Sequence, residues 1–163
     1  MILRGTASIN GQGHLEIGGM DTEQLVEKYG TPLMVYDVAL IKERARMFLR
    51  VVNQKGVVGR AFYATKALNT TALLQLLAQE GMGFDVVSGG EFYTALKAGV
   101  NPKNILFHGN NKNREELELA LSNGIGTIVI DNFYEIELLE QVAKQLGVVV
   151  SCLLRVTPGV DAY

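Results

Sequence analysis

The feature that most constrains the fold is a repeat in which an apolar run precedes an amphipathic helix that ends at a glycine. Five predicted helices end in this way, at Gly56, Gly81, Gly99, Gly124 and Gly147. A glycine suits the position after a helix because the backbone there adopts positive φ. The apolar runs are continuous rather than alternating, which is typical of strands buried on both faces of a parallel sheet. The repeat predicts the α/β class, as in (β/α)8 barrels and doubly wound sheets. Because no Gly-x-Gly-x-x-Gly follows the first strand, a dinucleotide fold is disfavoured.

The element boundaries follow from breakers and caps. Residues 2–19 predict one or two short strands, and a helix follows from Asp21 to Gly30. Further strands are predicted at 33–36, 61–64, 84–87, 105–107, 127–130 and 148–156. Asn113 with Glu116 and Asn132 with Glu135 have the spacing of capping boxes at two helix starts.

The segment 61–69 ends an apolar-aromatic run in Lys66 and continues into an Asn-Thr-Thr helix start. A lysine at the carboxyl end of a buried strand is desolvated, which lowers its pKa. The neutral amine can then attack a carbonyl to form a Schiff base. A surface lysine at a strand–helix junction is the alternative interpretation for an isolated residue of this type.

Polar residues follow each predicted strand of the repeat, and in a barrel they would share the carboxyl rim where active sites are built. They are Lys66, Ser88, Glu91, His108, Asp131 and Arg155. Ser88 and Asp131 could equally be helix caps. Asp85 lies inside a strand, where a carboxylate must be paired with a cation such as Lys66 or Arg155 or point to the barrel mouth. A purely structural buried ion pair is the competing explanation.

Composition narrows the function classes. The chain has 163 residues, 48% of them hydrophobic and 20% charged, with a net charge of −2. This balance favours a globular protein and gives no electrostatic reason to expect nucleic acid or an anionic membrane. The single cysteine, Cys152, lies in an apolar run and predicts a buried, inert thiol in a reducing compartment. A cytoplasmic location is expected, and neither histidine has metal-ligand spacing.

Four motifs together resemble a known family. They are Phe62-Tyr63-Ala64-Thr65-Lys66-Ala67, Asp85-Val86-Val87-Ser88-Gly89-Gly90-Glu91, Phe107-His108-Gly109-Asn110-Asn111-Lys112 and Leu153-Leu154-Arg155-Val156-Thr157-Pro158-Gly159-Val160. The first resembles the cofactor-lysine segment of barrel-fold pyridoxal-phosphate decarboxylases of basic amino acids. The set as a whole is similar to the branch that acts on meso-diaminopimelate.

The resemblance implies an α/β fold that forms the N-terminal part of a (β/α)8 barrel, about five of eight strands after a short β segment. Residues 1–30 would form the N-terminal β segment and helix, and 31–163 the first part of the barrel. Pyridoxal 5′-phosphate would be the cofactor and Lys66 the residue that carries it. Asp85, Glu91, His108 and Arg155 would line the cofactor side of the barrel mouth. The reaction would release CO2 and L-lysine from meso-diaminopimelate, in a homodimer.

The chain also departs from the family pattern, because it stops at Tyr163 after the fifth predicted barrel strand. The phosphate grip, the partner of the pyridine nitrogen and the cysteine proton donor would come from a missing second half. The 163-residue chain is therefore expected to be an amino-terminal fragment without decarboxylase activity of its own. The alternatives are decarboxylation of ornithine, arginine or carboxynorspermidine, a racemase, a cofactor-free Schiff-base aldolase, and a non-catalytic cofactor-binding protein.

Overall fold

The computed structural model describes residues 3–54, 56–57 and 59–159. The chain divides into two compact units, Met1–Val58 and Gly59–Tyr163. The end of the fourth motif, Val160, lies outside the described residues. The division into domains at residues 30 and 31 stays a prediction.

The first unit pairs a small antiparallel sheet with two helices. Strands β1 (Ser8–Ile9), β2 (Leu15–Ile17) and β3 (Met20–Asp21) form the sheet in that order, and α1 (Thr22–Tyr29) and α2 (Val38–Val52) follow. Asp21 caps α1 by accepting a hydrogen bond from the Glu23 amide, and α1 ends at Gly30 as predicted. Asp37 caps α2 and also accepts hydrogen bonds from the Thr6 amide and hydroxyl.

The strand predicted at 33–36 is wrong. These residues are irregular, and Met34 is 77% exposed. Their apolar, β-branched composition suits a strand, but β-propensity reflects packing on a pleated, half-buried surface. Among the described residues of the first unit no strand pairs with this segment, so it stays irregular.

His14 contacts two carboxylates of the first unit. Its Nδ1 lies 3.0 Å from Oδ2 of the buried Asp21, and its Nε2 lies 3.4 Å from Oε1 of Glu23. The hydrogen bond with Asp21 raises the pKa of His14 above its ordinary 6.5, and the charge of Glu23 adds to the rise. Burial opposes ionisation of Asp21, but hydrogen bonds from His14, the Glu23 amide and Asn10 outweigh it and lower the Asp21 pKa below 3.8.

This pair makes the stability of the first unit depend on pH. A raised histidine pKa stabilises the fold at low pH, and that stabilisation is lost as the pH rises through the folded-state value above 6.5. The stability that ionised Asp21 contributes to the fold is lost as the pH falls through the lowered pKa of its carboxyl. In an NMR titration of the histidine C2 protons, Asp21→Asn should return the His14 midpoint toward 6.5. The His108 resonance is the internal control, and an unchanged His14 midpoint would contradict the assignment.

The second unit is a five-stranded parallel sheet with strand order β4-β5-β6-β7-β8. The strands are β4 (Phe62–Ala64), β5 (Gly83–Val86), β6 (Ile105–Phe107), β7 (Thr127–Ile130) and β8 (Ser151–Leu154). The helices are α3 (Thr71–Gln79), α4 (Gly89–Lys97), α5 (Arg114–Ser122) and α6 (Phe133–Leu146). Each strand pairs with the next along the chain, so all five carboxyl ends lie at one edge.

The two faces of this sheet differ. Side chains on one face are buried, and they are Phe84, Val86, Ile105, Phe107, Ile128 and Ile130. The rings of Phe107 and Phe92 of α4 stack 6.3 Å apart, which identifies this face as the helix side. The alternate residues, among them Asp85, Leu106 and Val129, are only partly buried. We call this second face the open face.

Most local predictions for the second unit hold, with shorter strands. The capping box predicted for Asn132 and Glu135 is only half formed, because the Glu135 carboxylate accepts from the Asp131 amide instead of the Asn132 amide. Asn113 and Glu116 form the expected capping box, and Gly147 ends α6 in the left-handed conformation. The prediction for Cys152 is wrong, because the residue is exposed. Among the described residues its strand β8 pairs with β7 alone, so that side chain lacks cover. None of the helices in the described ranges is long and apolar enough to cross a membrane.

Candidate active site

Lys66 stands directly after β4, in a 3-10 turn formed by Thr65–Ala67. The turn begins at the carboxyl edge of the sheet, with Thr65 fully buried and Lys66 exposed. The predicted position at a strand end is therefore correct, whereas the expected desolvation of the amine is not seen in this chain. The amine is accessible to a small molecule at the carboxyl edge.

Asp85 and His108 meet on the open face beside this turn. Asp85 pairs in register with Ala64 of β4, and the His108 amide donates to the Val86 carbonyl. The two side chains approach with Nδ1 of His108 3.8 Å from Oδ2 of Asp85. Burial raises the pKa of the Asp85 carboxyl, and the charges of His108 and Lys66 offset part of that rise. The structure thus brings three of the predicted site residues together.

The second oxygen of Asp85 is buried and without a hydrogen-bond partner. A buried carboxylate oxygen normally has a donor, and leaving one unmade is energetically costly. An unpartnered acceptor beside a lysine and a histidine indicates a site that receives a polar ligand.

Glu91 lies close by, but it contacts the backbone. Its Oε2 accepts a hydrogen bond from the Val87 amide at 2.9 Å and contacts the hydroxyl of Thr65, which also lies 3.0 Å from the Asp85 carbonyl. Glu91 therefore ties the start of α4 to the turn that carries Lys66. Sequence reasoning assigned it to the cofactor without seeing Thr65 as the intermediate.

Replacing Thr65 with valine should lower the free energy of unfolding by about 1–3 kcal/mol, because the part-buried carboxylate oxygen of Glu91 loses one of its two donors. Thr94 is the matched control, since its hydroxyl bonds the Gly90 carbonyl on an exposed part of α4. Thr94→Val should cost less than about 0.5 kcal/mol. Urea denaturation measures both, and equal costs would contradict the role given to Thr65.

Arg155 takes a different partner from the one suggested for Asp85. Its guanidinium donates to Oδ1 of Asp131 at 2.7 Å, and its amide donates to the Ile130 carbonyl.

The structure also shows which of Ser88 and Asp131 caps a helix. Ser88 caps α4 by accepting from the Glu91 amide, whereas Asn132 rather than Asp131 caps α6. Asp131 therefore belongs to an ion pair at the carboxyl edge.

Sequence reasoning missed one buried ion pair at the same edge. Lys112 and Glu135 have side chains only 1% and 3% exposed, with Nζ 2.8 Å from Oε1. Lys112 was part of a quoted motif and Glu135 of a predicted capping box, but neither signal places them together. Their proximity depends on β6 and β7 being neighbours.

Comparison with known proteins identifies the family. Residues 32–163 match the family model described as "Pyridoxal-dependent decarboxylase, pyridoxal binding domain". The chain belongs to the pyridoxal-dependent decarboxylase family. In this family the matched domain binds the pyridoxal cofactor, and the sheet described above is the N-terminal part of its barrel.

Individual relatives support the same family assignment. The chain is 55% identical over its whole length to diaminopimelate decarboxylase of Bacillus subtilis, of which it covers 37%. It superposes on a crystal structure of diaminopimelate decarboxylase from M. jannaschii with a TM-score of 0.86 and 36% identity, over 96% of this chain and 37% of that one. A second structure of that enzyme, in complex with L-lysine, gives a TM-score of 0.84 at the same identity and coverage. The chain thus spans well under half the length of these relatives.

The residues present fit pyridoxal phosphate. An accessible amine at a strand end suits the aldehyde carbon of the cofactor, and the unpartnered Asp85 oxygen suits a polar or cationic group beside it. The imidazole of His108 is 35% exposed and presents a flat ring on the open face. These are the requirements of a planar, polar cofactor held by a lysine.

Proposed function

We propose that this chain provides the cofactor-lysine part of a decarboxylase that converts meso-diaminopimelate to L-lysine and CO2. The observation that carries the proposal is the grouping of Lys66, Asp85 and His108 at the carboxyl edge of a parallel sheet. The assignment of meso-diaminopimelate as the substrate is supported by the names of relatives with up to 55% identity.

Each residue has a distinct part in this proposal. Lys66 holds the cofactor through its amine and can give or take a proton at Nζ when it is released. Asp85 lies close enough to that amine for the charge of Lys66 to lower the pKa of the Asp85 carboxyl, which favours the ionised carboxylate beside the cofactor lysine. His108 lies with Nδ1 3.8 Å from Oδ2 of Asp85 and, in this proposal, offers a flat surface to the cofactor ring.

The remaining predicted residues act at the edges of the site. Glu91 positions Lys66 through Thr65 and the Val87 amide. Arg155 carries a positive charge 49% exposed at the end of β8, where it can attract an anionic group while Asp131 orients it. When bound, pyridoxal phosphate accepts the electron pair released as the α-carboxylate leaves as CO2.

We infer that the groups that grip the far end of the substrate belong to a longer protein, since the chain covers 37% of the B. subtilis relative. The M. jannaschii enzyme has been crystallised in complex with L-lysine, which is the product of the proposed reaction. We infer that the full-length protein likewise accepts a small amino acid with a second charged end. A homodimeric assembly and a cytoplasmic location belong to the same proposal.

The test is a substrate comparison on the full-length protein. Release of CO2 should be at least about a hundredfold faster, in kcat/KM, from meso-diaminopimelate than from ornithine, arginine or carboxynorspermidine, because a site built for two charged ends rejects analogues that leave a polar group unpaired. A higher kcat/KM for another of these amino acids would overturn the assignment of meso-diaminopimelate as the substrate. A bound cofactor without CO2 release from any of them would favour the non-catalytic alternative.

A further inference from the structure

A buried ion pair lies on the helix side of the sheet, below the carboxyl edge. The Lys112 ammonium contacts Glu135 at 2.8 Å and sits 5.9 Å above the centre of the Phe107 ring. It also donates hydrogen bonds to two backbone carbonyls, those of Gly109 and Val129. The ammonium therefore has one ion-pair partner and two hydrogen-bond acceptors, and none of these three residues belongs to the predicted site.

Lys112 restrains the turn that follows His108. The Gly109 carbonyl bonds its ammonium, while the His108 amide bonds the Val86 carbonyl. Gly109 has φ +105°, and a side chain there would lie 3.0 Å from the Val87 carbonyl oxygen. The backbone on both sides of the imidazole is thus held against β5.

Glu135 restrains the next loop along the edge. Its Oε2 accepts a hydrogen bond from the Asp131 amide at 3.2 Å, and the Asp131 carboxylate binds Arg155. One buried pair therefore joins the backbone of His108–Gly109 to the backbone that orients Arg155. A buried pair is often replaceable by apolar residues without loss of stability, so stability alone does not account for it.

We propose that Lys112 and Glu135 are positioning residues for the cofactor site, acting through His108 and through the Asp131–Arg155 pair. The inference rests on the proposed function in one respect, that this edge binds pyridoxal phosphate. Without the pair, each of the two loops loses one charge-assisted hydrogen bond to its backbone, at Gly109 and at Asp131, and strand β7 loses one at Val129. His108 and Arg155 then no longer share a fixed geometry, and a cofactor that needs both binds less tightly.

The decisive variant is the double replacement Lys112→Met with Glu135→Met in the full-length protein. It removes both charges together, so no unpaired charge stays buried, and it keeps side chains of similar length. The free energy of unfolding should stay close to that of the wild type. The Kd of the cofactor-free protein for pyridoxal phosphate, measured by absorbance titration, should rise about tenfold, the effect expected for losing a charge-assisted hydrogen bond.

The matched control is the ion pair between Lys144 and Glu140 on α6, which is 73% and 63% exposed. Replacing both with methionine should leave the Kd within about twofold, as expected for a surface pair. A double variant of the buried pair with wild-type Kd would overturn the proposal. If the double variant had a lower free energy of unfolding but the wild-type Kd, the pair would have a structural role only.

If the double replacement does not fold, a second variant tests the proposal. Glu135→Gln keeps an acceptor for the Asp131 amide but makes it neutral, so the bond weakens. Hydrogen exchange of the Asp131 amide in cofactor-free protein should quicken several-fold, and the Kd should rise about threefold. Unchanged exchange and unchanged Kd together would overturn the proposal. The exchange measurement needs no cofactor, so failure of the proposed function and failure of this inference are distinguishable.

Discussion

Replacement of Lys66 with arginine is expected to abolish covalent attachment of pyridoxal phosphate and to lower kcat at least about a thousandfold, because the nucleophilic amine is lost. Arginine keeps the positive charge near Asp85, but its guanidinium stays protonated and cannot attack a carbonyl. The comparison therefore separates the charge of Lys66 from its nucleophilicity. Any remaining cofactor binding in the variant would be non-covalent.

Borohydride reduction followed by peptide mapping measures this. In the wild-type protein the pyridoxyl label should lie on the peptide that contains Lys66, and in the variant no peptide should carry it. Lys97 is the control lysine, since it lies at the end of α4 with its ammonium over the ring of Tyr93. Lys97→Arg should keep both label and turnover. A wild-type label on any lysine other than Lys66 would refute the site assignment.

Replacement of Phe107 with alanine is expected to lower the free energy of unfolding by about 3–5 kcal/mol, the usual cost of removing a buried aromatic ring. Phe107 is fully buried, stacks on Phe92 and lies below the Lys112 ammonium. The cavity would therefore open where β6 meets α4, directly beneath the buried ion pair. Cofactor affinity should fall as well, because Lys112 would lose its support.

The control is Phe133→Ala at the start of α6, where the ring is 86% exposed. It should change the free energy of unfolding by less than about 0.5 kcal/mol. Urea denaturation compares the two variants directly. A cost below about 1 kcal/mol for Phe107→Ala would contradict the placement of this ring in the core.

The local elements of the second unit could be predicted because their signals are local. The Asn113–Glu116 capping box and the terminal glycine of α6 depend on residues within one turn of the helix end. Strand and helix order then implied a parallel sheet, and that alone put Lys66, Asp85 and His108 at one edge. The strand predicted at 33–36 was wrong because a strand needs a neighbouring strand, and the local sequence of the segment does not show whether one is present.

The partners of the charged residues could not be predicted in the same way. Each pairing joins groups far apart in the chain, as Lys112 with Glu135 and Arg155 with Asp131 do. The spacing of Asn132 and Glu135 indicates that the carboxylate serves only its own helix. It does not reveal that Glu135 also pairs with Lys112 of the loop after β6.

The amino-acid sequence by itself determined the order of elements, the parallel sheet and the chemistry available at its carboxyl edge, because hydrophobic periodicity and helix caps act over a few residues. The tertiary structure alone decided which charges pair. Ion pairs depend on distances between side chains that follow different strands in the chain, and those distances are fixed only once neighbouring strands are in register. This is why Glu91 proved to hold the turn of Lys66, and why Lys112 emerged only from the fold.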